Sequence, residues 1–234
     1  MTSAPYIFED RSTAGVALAR ELQQQLLPPP VLVLGLPRGG VPVAYEVARL
    51  LDAPLDVMLV RKLGMPGQPE LAIGAIASGN VVVGEPQLTP VIPELNDLVE
   101  AQRRELERRE RAYRPGLPPL ELQGRTAILV DDGLATGYTM LAAIHAARKA
   151  GAARIVVGAP VASPEAAKLV RGEADRVVIL ETPAAMFAVG DWYRHFEQLE
   201  DAEVCRLLEL NRTNRTKSGA IAQPATKPRL SRRR

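Results

Sequence analysis

The chain is poor in several residue types, and each shortage excludes a class of protein. One cysteine, Cys205, leaves no intrachain disulfide and no cysteine metal cluster. Two histidines, His145 and His195, are too few for a histidine-rich metal site. Aromatic residues make up 4% of the chain, too few for a nucleic-acid surface built on base stacking. No hydrophobic run has the length of a membrane span and the N-terminus lacks a signal-peptide pattern, so we expect a cytoplasmic protein without a membrane partner.

Acidic residues predominate everywhere except at the C-terminal end. The net charge is +2, but residues 211–234 hold 8 of the 29 basic residues and none of the 27 acidic ones, so residues 1–210 carry −6. We expect residues 1–210 to form one domain and residues 211–234 to be a basic, disordered tail. Contact with nucleic acid is expected only through that tail, because the domain itself is acidic.

Short apolar runs alternate with helical patterns along the domain. The runs predict core strands at residues 31–34, 56–60, 126–130, 154–158 and 176–180. Residues 71–83 predict a hairpin, residues 94–113 a long inserted helix, and residues 201–210 a final helix. Alternating strands and helices indicate an α/β fold, a parallel sheet of about five strands with helices on both faces. In such sheets ligands bind beyond the carboxyl ends of the strands.

Residues 126–139, Thr-Ala-Ile-Leu-Val-Asp-Asp-Gly-Leu-Ala-Thr-Gly-Tyr-Thr, are the most informative segment. An apolar strand pattern ends in two acids, Asp131 and Asp132, and a loop of small residues then leads into a helix. The N–H groups of such a loop and of a helix N-terminus favour a phosphate, and Thr136 and Thr139 add hydroxyl groups. The acids would repel a phosphate but can accept hydrogen bonds from ribose hydroxyls. The segment therefore predicts a pocket for a phosphorylated sugar.

The same segment resembles the 5-phosphoribosyl-1-pyrophosphate (PRPP) signature of type I phosphoribosyltransferases, in which two acids and a short spacer precede Thr-Gly-x-Thr. The resemblance implies the type I phosphoribosyltransferase fold, with a small hood formed here by about residues 1–27 and 183–210. It implies a catalytic role for Asp131 and Asp132 at the ribose. The implied ligands of the 5-phosphate are Ala135, Thr136, Gly137, Tyr138 and Thr139. Mg²⁺ is the implied cofactor, bound through PRPP near the two acids without a dedicated protein site.

A second loop, Gly-Leu-Pro-Arg-Gly-Gly at residues 35–40, follows the first strand. Its glycines let the backbone approach a ligand, and a guanidinium offers a planar fork for phosphate oxygens. The loop resembles the pyrophosphate loop of xanthine-guanine phosphoribosyltransferases. That resemblance implies pyrophosphate binding by Pro37, Arg38, Gly39 and Gly40, with a cis peptide bond between Pro37 and Arg38.

Two cations, Arg61 and Lys62, follow the second predicted strand. We predict that Arg61 helps to bind pyrophosphate and that Lys62 is catalytic, with pairing of Lys62 to one of the two acids as the alternative. Tyr113 and Arg114 lie before the Asp-Asp strand, and this position makes them candidates for closing over pyrophosphate. The alternative is that they end a solvated helix with internal ion pairs.

Aromatic residues are concentrated at residues 186–196, after the last predicted core strand. The resemblance implies that a base is held by the hood against an aromatic ring, and Phe187, Trp192 and Tyr193 are the candidates. The alternative is a hydrophobic plug over the end of the sheet.

Together these features predict a phosphoribosyltransferase of nucleotide metabolism, a pentosyltransferase within the glycosyltransferases. It would use PRPP and Mg²⁺ to transfer phosphoribosyl to an unidentified nitrogenous base or small amine, releasing pyrophosphate. The family resemblance also implies a homodimer. The main alternative is a non-catalytic PRPP-binding regulator. A phosphatase with Asp131 as nucleophile leaves Thr-Gly-x-Thr without a purpose, and a nucleotide-binding oxidoreductase is disfavoured because no Gly-x-Gly-x-x-Gly follows the first strand.

Overall fold

Strands and helices alternate through most of the chain, and the computed structural model describes residues 8–65, 68–77, 81–84 and 95–221. The strands within that part are β1 (Val31–Gly35), β2 (Leu55–Val57), β3 (Val60–Met65), β4 (Gln68–Ala77), β5 (Val81–Gly84), β6 (Thr126–Val130), β7 (Arg154–Val161) and β8 (Arg176–Glu181). The α-helices are α1 (Arg11–Gln23), α2 (Gly40–Leu50), α3 (Leu95–Tyr113), α4 (Tyr138–Lys149), α5 (Pro164–Arg171) and α6 (Asp201–Ile221). A short 3-10 helix (Val189–Trp192) precedes α6.

The central sheet has five strands in the order β2-β1-β6-β7-β8, and every neighbouring pair is parallel. All residues of β6 are buried, and in β1 and β7 only the first residue is partly exposed. Such near-continuous burial is typical of a parallel sheet whose two faces are both covered by helices. The predicted α/β fold with about five parallel strands is confirmed.

Two hydrophobic layers sandwich this sheet. Successive strand residues point to opposite faces, so Val33 packs in one layer and Leu34 in the other. The first layer includes Leu18 of α1, Val47 of α2 and Leu208 of α6; the second includes Ile144 of α4 and Ala167 of α5. Burying one Leu or Ile side chain contributes about 1.5–3 kcal/mol. The layers therefore fix the sheet, and with it the loops at the carboxyl ends of its strands.

A separate antiparallel sheet, in the order β3-β4-β5, corrects the predicted second core strand at residues 56–60. The chain leaves the central sheet at Val57 and enters the small sheet at Val60. Residues 57–60 are a continuous apolar run, and such a run carries no periodicity that could reveal the break. As a consequence Arg61 and Lys62 lie within β3, opposite Ile76 and Ala75 of β4, and not in a loop after a core strand.

The predicted hairpin and the predicted long helix are both confirmed. Strands β4 and β5 pair antiparallel, with Ala77 opposite Val81, and the predicted turn between them lies outside the described residues. Helix α3 begins at Leu95 and ends at Tyr113. Its Glu105 accepts hydrogen bonds from Arg108 at 2.7 Å and from Arg109 at 2.8 Å, which is the internal pairing expected of a charged helix.

The predicted boundary between domain and tail at residue 211 is wrong, because α6 continues to Ile221. Asn211 is buried, and its side chain accepts a hydrogen bond from the Leu55 backbone N–H at 2.9 Å and donates to the Ala53 carbonyl at 3.3 Å. Its amide thereby satisfies two backbone groups at the start of the edge strand β2. The polar, basic composition of residues 211–221 concealed this helix. Residues 222–234 lie outside the described part.

Candidate functional site

The acid pair and the arginine turn leave neighbouring strands at the same edge of the sheet. Strands β1 and β6 are paired in parallel, with Gly35 opposite Val130. The Leu36 N–H donates to the Val130 carbonyl at 2.9 Å, which holds the two loops together where they begin. Parallel pairing thus brings two segments almost a hundred residues apart into contact.

Glycines 39 and 40 make this contact possible. A Cβ atom added to Gly39 would lie 2.0 Å from Oδ2 of Asp132, and one added to Gly40 would lie 2.5 Å from the Val130 carbonyl oxygen. Those spacings leave no room for any side chain. The structure therefore brings the arginine turn directly against the acid pair.

The peptide bond between Pro37 and Arg38 is cis, which confirms the prediction made from the resemblance. Arg38 is partly exposed, and its Nη1 lies 4.0 Å from a carboxylate oxygen of Glu200 and 4.0 Å from one of Asp201. These acids stand at the beginning of α6. The guanidinium is therefore loosely held beside the acid loop and remains within reach of a ligand.

The two acids have different electrostatic environments. Burial raises the pKa of Asp131 well above its ordinary value, and the neighbouring charge of Asp132 raises it further. Burial also raises the pKa of Asp132, but the Arg11 guanidinium opposes that rise. Oδ1 of Asp131 accepts a hydrogen bond from the Asp132 backbone N–H at 2.9 Å. The two carboxyl groups therefore differ in that Asp132 alone has a cation bound to it, which favours its ionised form.

Arg11, at the start of α1, is a site residue that the sequence analysis missed. Its Nε donates to Oδ2 of Asp132 at 2.8 Å, and its Nη1 donates to the Glu197 carbonyl at 3.0 Å. Its guanidinium carbon lies 3.8 Å from the centroid of the Phe196 ring. No local motif marks this residue, because its partners are contributed by distant parts of the chain.

The loop after the acids has the form of an anion cradle. The Leu134 N–H donates to the Val161 carbonyl at 2.9 Å, and the Ala135 carbonyl accepts from the Ser163 hydroxyl at 2.7 Å, so the base of the loop is fixed. Gly137 has φ of +82° and precedes α4 without a side-chain cap, so the first N–H groups of the helix have no partner from a capping side chain or from within the helix. Ala135 and Thr136 are exposed, whereas Tyr138 and Thr139 are half-buried.

The three candidate rings for base binding have different environments. Tyr193 is buried against Phe8 and Phe196, with ring centroids 5.6 and 5.1 Å away, and its hydroxyl donates to the Asp132 carbonyl at 2.6 Å. It therefore anchors the acid loop, and its use as a base platform is contradicted. Phe187 is 94% exposed, and Trp192 is half-buried. Phe196, which the prediction omitted, exposes 37% of its surface beside Arg11.

The two remaining cations, Arg61 and Lys62, belong to β3. Arg61 donates from Nε to Gln102 of α3 at 2.8 Å, and burial lowers its pKa. The side chain of Lys62 lies outside the described part of the structure, so its predicted roles stay predictions. The geometry engages Arg61 with α3 instead of leaving it free beside Arg38.

Tyr113 and Arg114 do not begin a free segment, so the idea that they close over pyrophosphate is contradicted. Both are buried. The Tyr113 hydroxyl donates to Asp201 at 2.5 Å, and burial raises its pKa. Arg114 pairs with Asp56 at 3.1 Å and donates to the Pro118 carbonyl at 2.8 Å. These contacts fix the end of α3 to α6 and to β2.

Metal-ligating side chains do not gather into groups of three or more among the residues described. Within those same residues, no helix is both long enough and apolar enough to cross a bilayer.

Comparison with known proteins assigns the family. Residues 11–191 match the phosphoribosyl transferase domain family. Relatives from two Mycobacterium tuberculosis strains, named provisionally as phosphoribosyl transferases, are 46% identical over 226 residues, which are 95% of this chain and 51% of theirs. The chain thus spans about half the length of these curated relatives. The crystal structure of Thermus thermophilus TT1426 has a TM-score of 0.75 and 43% identity, covering 86% of this chain and 97% of that one. The chain belongs to the phosphoribosyl transferase domain family.

Proposed function

We propose that the chain is a phosphoribosyltransferase that uses PRPP and transfers its phosphoribosyl group to a nitrogenous base or small amine. The observation that carries the proposal is the contact between the arginine turn and the acid pair, where Gly39 leaves no space for a Cβ beside Oδ2 of Asp132. An anion cradle follows the acids within five residues. Groups suited to the two ends of a ribose phosphate thus lie at one edge of the sheet.

In this assignment each group acts on one part of PRPP. The N–H groups around Gly137, with the hydroxyls of Thr136 and Thr139, bind the 5-phosphate. Asp131 and Asp132 accept hydrogen bonds from the ribose hydroxyls. Arg38 and the N–H groups of the cis turn bind the pyrophosphate. The salt bridge with Arg11 occupies Oδ2 of Asp132, so a hydroxyl at that residue would bind the other oxygen.

The transfer itself needs no covalent enzyme intermediate. A nitrogen lone pair forms the new bond to C1 of the ribose, and the bond from C1 to the pyrophosphate oxygen breaks, with its electron pair leaving on pyrophosphate. Positive charge develops on the ribose ring at this stage, and a nearby carboxylate stabilises it. The protein therefore contributes positioning and electrostatic stabilisation.

The acid pair also fits the magnesium ion that the fold family implies. Carboxylate oxygens, phosphate oxygens and water are the ligands that Mg²⁺ prefers, and Asp131 and Asp132 supply carboxylates at the ribose end of the site. When bound, Mg²⁺ supplies positive charge that stabilises the leaving pyrophosphate. Arg11 already neutralises part of the acidic charge, so PRPP would contribute most of the remaining ligands.

Calorimetric titration of PRPP with Mg²⁺, followed by a screen of nucleobases and small amines for pyrophosphate release, tests the proposal. We expect PRPP to bind and at least one acceptor to release pyrophosphate. Binding without release by any acceptor would favour the PRPP-binding regulator, and absence of binding would overturn both. The family resemblance further suggests a homodimer, which light scattering during size-exclusion chromatography tests.

A further inference from the structure

A groove lies at the end of the central sheet where its strands begin, opposite the end that carries the acid pair. Its volume is about 460 Å³, and Leu32 and Leu55, near the beginnings of β1 and β2, form part of its lining. Further lining comes from residues beside these strands, from residues 118–121 between α3 and β6, and from the C-terminal half of α6. None of the residues assigned above to PRPP lines it.

The charged lining of this groove has an excess of cations. Four of its side chains are arginines, Arg114, Arg125, Arg212 and Arg215, against two acids, Asp56 and Glu121. Arg114 is paired with Asp56 at 3.1 Å, and Arg215 is paired with Asp52, just outside the groove, at 3.1 Å. These two arginines therefore stabilise the sides of the groove through ion pairs, and their charge is largely neutralised.

The other two arginines retain donors for a ligand. Within the described residues, the side chain of Arg125 makes no hydrogen bond or ion pair. Arg212 is 36% exposed, and its nearest carboxylate, that of Glu209, lies 3.9 Å from Nη1. Both guanidinium groups line the groove, so an anion bound there would contact cations that the protein leaves largely unpaired.

The groove also has an apolar part. Pro54, Pro118, Pro119 and Leu120 line it together with the two leucines named above. A ligand that fits both parts would carry an anionic group at one end and an apolar or planar group at the other. Phosphate esters such as nucleotides have this character, and the forked guanidinium matches phosphate oxygens in geometry and charge.

We propose that this groove is a binding site for a phosphorylated small molecule, separate from the PRPP site. The phosphate is held by Arg125 and Arg212, and the remainder of the ligand packs on the prolines. The phosphate group can belong to a nucleotide, or it can be a free phosphate or pyrophosphate ion. The test distinguishes these two sources.

The test titrates ADP, and separately inorganic pyrophosphate, into the full chain saturated with PRPP and Mg²⁺. We expect Arg125→Ala and Arg212→Ala each to weaken ADP binding at least tenfold and to leave PRPP affinity unchanged. Arg171→Ala, at an exposed position at the end of α5, is the matched control and should change neither affinity. Tighter binding of ADP than of pyrophosphate would assign the apolar wall a role, and equal binding would assign recognition to phosphate alone.

Arg212→Lys provides a second variant, because it keeps the charge of α6 and loses the planar fork. It should fold as the unaltered chain does and weaken ADP binding less than Arg212→Ala. The proposal would be overturned if neither ADP nor pyrophosphate bound at millimolar concentration. It would also be overturned if the Arg125 and Arg212 variants bound ADP as tightly as the unaltered chain does. Asp131→Asn measured in parallel separates the sites, since it should lose PRPP affinity and keep ADP affinity when no PRPP is present.

Discussion

Nε of Arg11 lies 2.8 Å from Oδ2 of Asp132, and the two side chains are only 11% and 13% exposed. This salt bridge joins the first turn of α1 to the loop after β6, across 121 positions of sequence. The same guanidinium covers the ring of Phe196. The N-terminal helix and the segment before α6 are thus both fastened to the acid loop.

We predict that Arg11→Ala lowers the free energy of unfolding by about 1–3 kcal/mol, because it leaves a largely buried carboxylate unpaired. It should also weaken PRPP binding at neutral pH, since the pKa of Asp132 would rise further without its cation. Urea unfolding and calorimetry measure the two effects. Arg20→Ala, at an exposed position of the same helix, is the control, and equal stability of the two variants would contradict the prediction.

We predict that Asp131→Asn combined with Asp132→Asn abolishes PRPP binding while the chain remains folded. Loss of the carboxylates removes the acceptors for the ribose hydroxyls and also removes the repulsion between neighbouring acids. Calorimetry measures binding and a thermal melt reports folding. Asp97→Asn, in the exposed first turn of α3, is the control; unchanged PRPP affinity in the double variant would refute the site.

We predict a pH dependence of stability that comes from Asp131. Because its pKa is raised in the folded protein, the folded state keeps a proton that the unfolded chain has lost. The unfolded state therefore binds fewer protons between the ordinary Asp pKa and the raised one, so stability falls as pH rises through that window. Asp131→Asn should flatten this slope in urea unfolding measured at several pH values. Parallel curves for the two proteins would exclude Asp131 as the source.

We predict that Gly39→Ala disrupts the contact between the arginine turn and the acid pair. The added methyl group would lie 2.0 Å from Oδ2 of Asp132, so either this carboxylate must leave its salt bridge with Arg11 or the turn must move. The expected loss is about 1–3 kcal/mol of stability together with lower PRPP affinity. Gly172→Ala is the matched control, because its Cβ would meet only an ordinary contact at 3.5 Å. Similar behaviour of the two variants would show that the loops are not in contact.

We predict that Asn211→Ala destabilises the chain by about 1–3 kcal/mol, since it leaves the Leu55 N–H and the Ala53 carbonyl without their partner. Asn214→Ala, three residues later at an exposed position, should change stability by less than about 0.5 kcal/mol. Chemical denaturation compares the two. Truncation after residue 221 should likewise preserve cooperative unfolding, whereas truncation after residue 210 should weaken it.

Local patterns predicted the features that depend on neighbouring residues. The apolar run before Asp131 is a buried strand, the small-residue loop after it begins a helix at Gly137, and α3 ends at Tyr113 as its pattern indicates. Each of these follows from burial, backbone freedom or helix capping within a short stretch. The family resemblance added the cis bond before Arg38, which no propensity indicates.

Features that depend on distant partners were decided only by the tertiary structure. The break after Val57 requires a second sheet with which β3 can pair. Asn211 looked like part of a polar tail until the edge strand β2 supplied its hydrogen-bond partners. Tyr193 was predicted as a platform for a base. In the structure its ring is buried and its hydroxyl bonds the Asp132 carbonyl, so it anchors the acid loop.

Consecutive residues alone specify the alternation of strands and helices, the acid pair and the glycine turn, because each of these features depends on a short stretch of chain. Tertiary structure decided which charges meet. The pairing of Arg11 with Asp132, and the placement of Asp201 between Arg38 and Tyr113, join residues far apart in the chain. Electrostatic interactions depend on distance in space and on burial, and neither quantity can be read from the order of residues.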